Sequence, residues 1–179
     1  MNLVEIIKER KSIRKFIDQD VANYIIEDLI DAARFAPSAK NRQPWYFLVV
    51  KDNVKNKIAD IMIKDLEKHK DYGNNSINAT ALVIKEAPIL ILVFRPKDDN
   101  WIVGDSLSIG AAIEHICLRA TELGLGTLWI RDIVYTKDQI ANILNMSHMD
   151  LISAISIGYY SESPLPKIKK KLNDILYWY

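Results

Sequence analysis

Seven consecutive apolar residues, Pro88 to Phe94 ("PILILVF"), constrain this chain more than any other stretch. Side chains along a strand alternate between its two faces, so a strand with no polar alternation is buried on both. "WYFLVV" from Trp45, "GTLWI" from Gly126 and "LISAISIGY" from Leu151 read as three further strands. The longest helix is expected from about Val103 to Leu123, stopped by Gly124 in the manner of a C′ glycine.

The other elements follow from periodicity and breakers. Leu3, Ile6 and Ile7 repeat at helical spacing, and Glu9 and Arg10 close that helix. A second helix covers about Asn23 to Ala36, with Ile25, Ile26, Leu29, Ile30 and Ala33 on one face, and Pro37 ends it. A charged amphipathic helix is expected from Val54 to His69, followed by a turn cluster, "KDYGNNS". A helix from Thr136 to Leu144 has Thr136 as its candidate cap. With 179 residues and 49% of them hydrophobic, the chain can fill one core. Strands with helices around them in sequence, and no repeat or linker, give one α+β domain over residues 1–179. The tail, "SESPLPKIKKKLNDILYWY", ends in Leu176, Tyr177, Trp178 and Tyr179. Left in water this patch would be a liability, so residues from about 160 to 179 are expected to pack on a partner subunit.

Several classes of function are excluded or disfavoured. The net charge is +1, which argues against a general nucleic-acid binder. The one cysteine, Cys117, cannot form an internal disulfide and reads as a buried thiol. His69, His115 and His148 are far apart and have no partner at metal-ligand spacing, so no metal site is expected. Neither a signal-length apolar run at the N-terminus nor a spanning window of about 18 apolar residues is evident, which gives the expectation of a cytoplasmic protein away from membranes.

Three polar features remain. "KERKSIRK", Lys8 to Lys15, holds five cations and one acid around Ser12, and "KIKKK", Lys167 to Lys171, holds four lysines. Charge runs are mostly solvated faces, but an arginine fork, a hydroxyl and lysines together suit a phosphomonoester. "PSAKNRQPWYFLVV", from Pro37, carries more donors and acceptors than a turn uses. The chain has neither a G-x-G-x-x-G after a strand nor a phosphate-binding G-x-x-x-x-G-K-[ST]. A nucleotide here would be held by another architecture.

"RKSIRKF" from Arg10, "APSAKNRQPWYFLVV" from Ala36, "GLGTLWI" from Gly124 and "IGYYSESPLPKIKKKLNDIL" from Ile157 come in the order seen in the nitroreductase family. The resemblance spans almost the whole chain. It implies a nitroreductase-like α+β fold with a central, mostly antiparallel sheet of four to five strands flanked by helices, in an intertwined homodimer with FMN at each subunit interface. Residue by residue, Arg10 and Ser12 match phosphate-binding positions, with Lys11 a secondary contact. Arg14 matches the cation near the flavin N1 and C2 carbonyl, where reduction adds negative charge. Ser38, Ala39, Asn41 and Gln43 match a loop that reaches the flavin of the other subunit. Trp129, Ile130 and Arg131 match the segment beside the isoalloxazine, with the backbone N–H of Arg131 or Asp132 at N5. Lys167 and Lys169 match the C-terminal basic pair, with Lys170 as the alternative. Two positions depart from the family pattern: the last basic residue is Lys rather than Arg, and His115 stands where Asn is common. The stretch "KHKDYGNNS" is a candidate source of a further polar contact to the flavin.

The activity implied is that of an NAD(P)H-dependent flavin oxidoreductase. Hydride would pass from NADH or NADPH through flavin N5 to a nitroaromatic, a quinone or a similar small acceptor in a ping-pong cycle, with no side chain as the catalytic residue. Two other readings keep the fold: a non-catalytic FMN-binding or storage protein, and an enzyme that dehalogenates or oxidises a ring.

Overall fold

The apolar run forms the inside of a sheet in the computed structural model, which describes residues 1–68 and 74–179. The strands are β1 (Tyr46–Val50), β2 (Ile89–Pro96), β3 (Gly126–Ile130) and β4 (Met149–Gly158). Their order is β1-β2-β4-β3, and every neighbouring pair is antiparallel. Leu92 sits between Leu48 and Ala154, and Ala154 in turn faces Ile130 across the next ladder. The expected α+β sheet is therefore present with four strands.

Both faces of β2 are covered, which is why it needs no polar residue. Leu90, Leu92 and Phe94 pack with Leu128, Ile130 and Leu151 on one face. Helices α3 (Asp52–Lys68), α4 (Asn74–Glu86) and α6 (Lys137–Ile143) close that face through Ile58, Met62, Ala81, Ile84 and Ile140. Ile89, Ile91 and Val93 point the other way, into Leu29 and Ala33 of α2 (Asn23–Arg34) and Ile109, Ile113 and Ile116 of α5 (Ile102–Glu122). Each such aliphatic side chain stabilises the fold by roughly 1.5–3 kcal/mol through burial.

Helix ends are set by local chemistry. Asn2 caps α1 (Leu3–Glu9): its Oδ1 accepts from Glu5 N–H at 3.0 Å while Glu5 Oε2 accepts from Asn2 N–H at 2.8 Å, a complete capping box. At the far end of α5 the Gly124 N–H donates to Thr121 O and the Leu125 N–H to Ala120 O. With Gly124 at φ +75, this is a Schellman motif, the stop expected from the sequence.

Four expectations need correction. The stretch after "KDYGNNS" contains a helix, α4, that periodicity reading missed; Asn74 to Ser76 already belong to it. The rest of that expected turn, with His69 and the proposed flavin contact near Lys70, lies outside the described residues. Thr136 stands at the N-cap position of α6, as expected, but its side chain makes no cap hydrogen bond. It ends a 3-10 turn, Asp132–Thr136, and its buried Oγ1 donates back to Ile133 O at 3.3 Å. On α1 only Ile6 of the expected apolar face is buried, while Leu3 and Ile7 are exposed. One helical stretch, Asp99–Glu122, is long and apolar enough by composition to cross a membrane. Its Ile109, Ala112, Ile113 and Ile116 are fully buried against the sheet, and Asp105 is fully buried near its start, the build of a core helix.

Candidate functional site

β3 is an edge strand, and the "RKSIR" segment runs along it. Ser12 makes a parallel bridge to Thr127, and the Ile13 N–H donates to Thr127 O at 2.9 Å. Gly126 makes this approach possible: a Cβ there would stand 2.7 Å from Ile13 and 2.8 Å from Tyr160. The two glycines of "GLGTLW" thus have separate tasks, one ending α5 and one admitting the Ser12 segment.

The two basic clusters, about 155 residues apart in sequence, meet here. Lys11 Nζ donates to Ser163 Oγ at 3.0 Å, and Lys15 pairs loosely with Glu162 at 3.6 Å, tying the start of the tail to the N-terminal segment. Between them lies a cavity of about 440 Å³, within the size range of ligand pockets. Arg10, Lys11, Ser12 and Arg14 line one side, and Pro164 to Lys167 with Lys169 line the other. Lys170 is not among its lining residues. Lys8 brings the lining cations to six, and among the described residues no carboxylate lines the cavity. Nearby acids offset part of this charge: Glu114 lies 3.3 Å from Arg10 Nε and Glu9 lies 3.9 Å from Lys11 Nζ. Arg10 Nε is nonetheless buried without a hydrogen-bond partner among the described residues. That chemistry fits an anion with several acceptor oxygens.

A second cavity of about 240 Å³ shares Arg14 with the first as a lining residue. Trp129, Ile130, Arg131 and Asp132 line it from the end of β3, and Ala79, Thr80 and Val83 line it from α4. Leu128 and Ile130 give it an apolar floor. The Trp129 indole lies toward α5, 3.7 Å from the position of a Cβ on Gly110, and its Nε1 donates to Ser153 Oγ at 2.8 Å. Trp129 therefore lines this cavity mainly through its backbone. Arg131 is exposed, and its guanidinium donates to the Tyr135 hydroxyl at 2.7 Å. The α4 wall was not foreseen from the sequence because α4 itself was not.

Ser38, Ala39, Asn41 and Gln43 line neither cavity. Their loop precedes β1, at the opposite edge of the sheet, roughly 14 Å away over three strand spacings. The loop is tightly specified where it stands. Lys40, Asn41 and Gln43 all have positive φ, near +50. Ser38 Oγ accepts from Gln43 N–H at 3.0 Å, and Ser108 Oγ of α5 accepts from Ala39 N–H at 3.3 Å. Arg42 donates through Nε to Asp105 Oδ1 at 3.1 Å and stacks on Trp101 at 4.3 Å. Asp105, hydrogen-bonded to Arg42, is the largest cause that raises the guanidinium above its ordinary value.

His115 Nδ1 lies 3.1 Å from Ala32 O, joining α5 to α2. Cys117 is buried, and burial pushes its thiol up to about 11. Among the described residues no cluster of His, Cys, Asp or Glu could hold a metal.

An α+β sheet with a basic cavity opening beside its edge strand defines a class of proteins suited to an anionic ligand. The sequence model of the Nitroreductase family matches residues 7–159, and the chain belongs to that family. A protein of Methanothermobacter thermautotrophicus, named provisionally as an NADH dehydrogenase/NAD(P)H nitroreductase, is 30% identical over 92% of this chain and 80% of its own length. Human iodotyrosine deiodinase 1 is 28% identical over 95% of this chain, which spans 65% of the human protein. A BluB-like flavoprotein of Clostridium difficile 630 superposes with a TM-score of 0.82 at 29% identity, covering 99% of both chains.

Proposed function

We propose that this chain is an FMN-dependent oxidoreductase that draws on NADH or NADPH and works as a homodimer. The observation that carries the reading is that Arg14 lines both a basic cavity and a second cavity with an apolar floor. A phosphate at one end and a flat ring system at the other match that polarity. The chemistry FMN would supply is hydride acceptance from the reduced pyridine nucleotide and return to a nitroaromatic, quinone or similar acceptor.

The chain's own residues bind and orient. Arg10, Ser12, Lys167 and Lys169 hold the phosphate in this reading, and Lys11 supports it while anchoring the tail. Arg14, which lines both cavities, supplies positive charge where reduction adds electron density. Trp129, Ile130 and Arg131 present backbone to the ring edge. Ser38, Ala39, Asn41 and Gln43 come from the other subunit, because within one chain they stand at the wrong edge of the sheet. Leu165, Ile168, Tyr177 and Trp178 are largely exposed in the single chain, and a second copy would cover them. No side chain is assigned a proton-transfer role.

The test is sedimentation of the FMN-saturated protein. A dimer carrying one flavin per subunit is expected, and a monomer that carries none would contradict the reading. The similarity to a deiodinase favours one second reading, reductive removal of halogen from an aromatic ring at the same site. Halide release from a halophenol with reduced enzyme separates the two.

A further inference from the structure

Asp105 is the one acid that is fully buried in α5, and its partners define a network the proposed chemistry does not use. Arg42 reaches it at 3.1 Å and Arg95 at 3.8 Å. Arg95 is itself buried; it pairs with Asp150 at 2.7 Å and donates to Pro96 O and Asp98 O, each at 3.0 Å. Asp98 meets Arg42 again at 3.4 Å. Arg42 lies over the Trp101 ring at 4.3 Å and Lys40 at 5.3 Å. The network thus joins the end of β2, the start of α5 and the Ser38–Gln43 loop.

The loop needs such a holder. Three non-glycine residues with positive φ persist only where their surroundings over-determine them. Two hydrogen bonds, to Ser38 Oγ and Ser108 Oγ, fix its ends. Lys40 adds a contact to the Trp101 ring at 5.3 Å, and Arg42 ties the loop to a buried carboxylate, where an ion pair is held in one geometry. Buried charge of this kind is a poor source of net stability, and its best use is to select one conformation.

We propose that Asp105 is a positioning residue: acting through Arg42, it holds the Ser38–Gln43 loop in the conformation that completes the ligand site of a second copy of this chain. The inference rests on the proposed function for the identity of that ligand, FMN. Ser38, Asn41 and Gln43 are the contacts; Asp105 and Arg42 set where they point.

The experiment compares the full-length wild type with Asp105→Asn and with Arg42→Gln, a change at a partly exposed side chain that keeps the fold if the buried variant does not. The first arm is free of flavin: limited trypsin digestion read by mass spectrometry for cuts after Lys40 and Arg42, with only the Lys40 cut available in Arg42→Gln. The second is the FMN dissociation constant, with circular dichroism and sedimentation confirming a folded dimer. The expected result is faster cutting of the loop, and FMN binding at least tenfold weaker, in either variant that folds. The double variant should lose no more than the worse single one, since both act along one path. Unchanged cutting would overturn the link from Asp105 to the loop. Faster cutting with FMN affinity unchanged would overturn the positioning role. A wild type that binds no FMN would sink the proposed function and the role resting on it, while the digestion still shows whether the network holds the loop.

Discussion

Arg10→Ala offers the sharpest perturbation of the basic cavity. The Arg10 side chain is 28% exposed and faces Glu114 at 3.3 Å, with its Nε otherwise unpartnered among the described residues. A charge-assisted hydrogen bond to a phosphate contributes roughly 1.5–3 kcal/mol. At about 1.4 kcal/mol per tenfold, its loss weakens FMN binding by roughly 10- to 150-fold. Partial exposure pulls the value toward the lower end, whereas the Glu114 charge left behind pushes it upward. Riboflavin has the same ring system and no phosphate, so its affinity should change by less than about threefold, or some 0.65 kcal/mol. Quenching of flavin fluorescence at fixed ionic strength measures both. Equal losses for FMN and riboflavin would mean that Arg10 shapes the site without touching phosphate, and no loss for either would remove it from the site.

Gly126→Ala should lower the melting temperature by several degrees, because a Cβ 2.7 Å from Ile13 forces a shift costing about 1–3 kcal/mol; a wild-type melting curve would refute the close approach. Phe94→Ala, at a fully buried position in the centre of the sheet, should cost about 3–5 kcal/mol in urea unfolding. Cys117 gives a pH signature. Its thiol titrates near 11 when folded and near 9.0 when unfolded, so the folded state holds the proton longer. Stability is therefore full below pH 9 and falls as pH rises toward 11, by about 3 kcal/mol at the limit. Cys117→Ala should remove that part of the decline when unfolding midpoints are compared on the two sides of this window.

Much of the fold was legible because burial writes itself into strands. Ile89 to Phe94 carry no polar residue since both faces of β2 are covered. Gly124 was legible as a helix stop because only the left-handed region closes a Schellman motif there. Helix α4 was not legible. Its buried stripe is Ile77, Ala81 and Ile84, set among Asn, Ser and Thr residues that favour caps and turns. The site divides in the same way. Both basic clusters stood out by charge, but only the fold shows that Lys11 and Ser163 touch and that the cavity lies between. Thr80 and Val83 lacked any signal, because their wall belongs to the unread helix. Asp105 left one faint mark, a lone acid near the start of an apolar helix, and its partners Arg42 and Arg95 lie 63 and 10 positions away.

The central claim is that this chain holds FMN and moves electrons from a pyridine nucleotide through it. The direct measurement is the anaerobic visible spectrum of the purified protein with FMN, before and after addition of NADH or NADPH. A shift of the flavin bands on mixing, followed by bleaching with one of the two nucleotides, is the predicted result. Flavin bands that shift but never bleach would contradict the oxidoreductase role and favour storage, and a spectrum identical to free FMN would contradict the site itself.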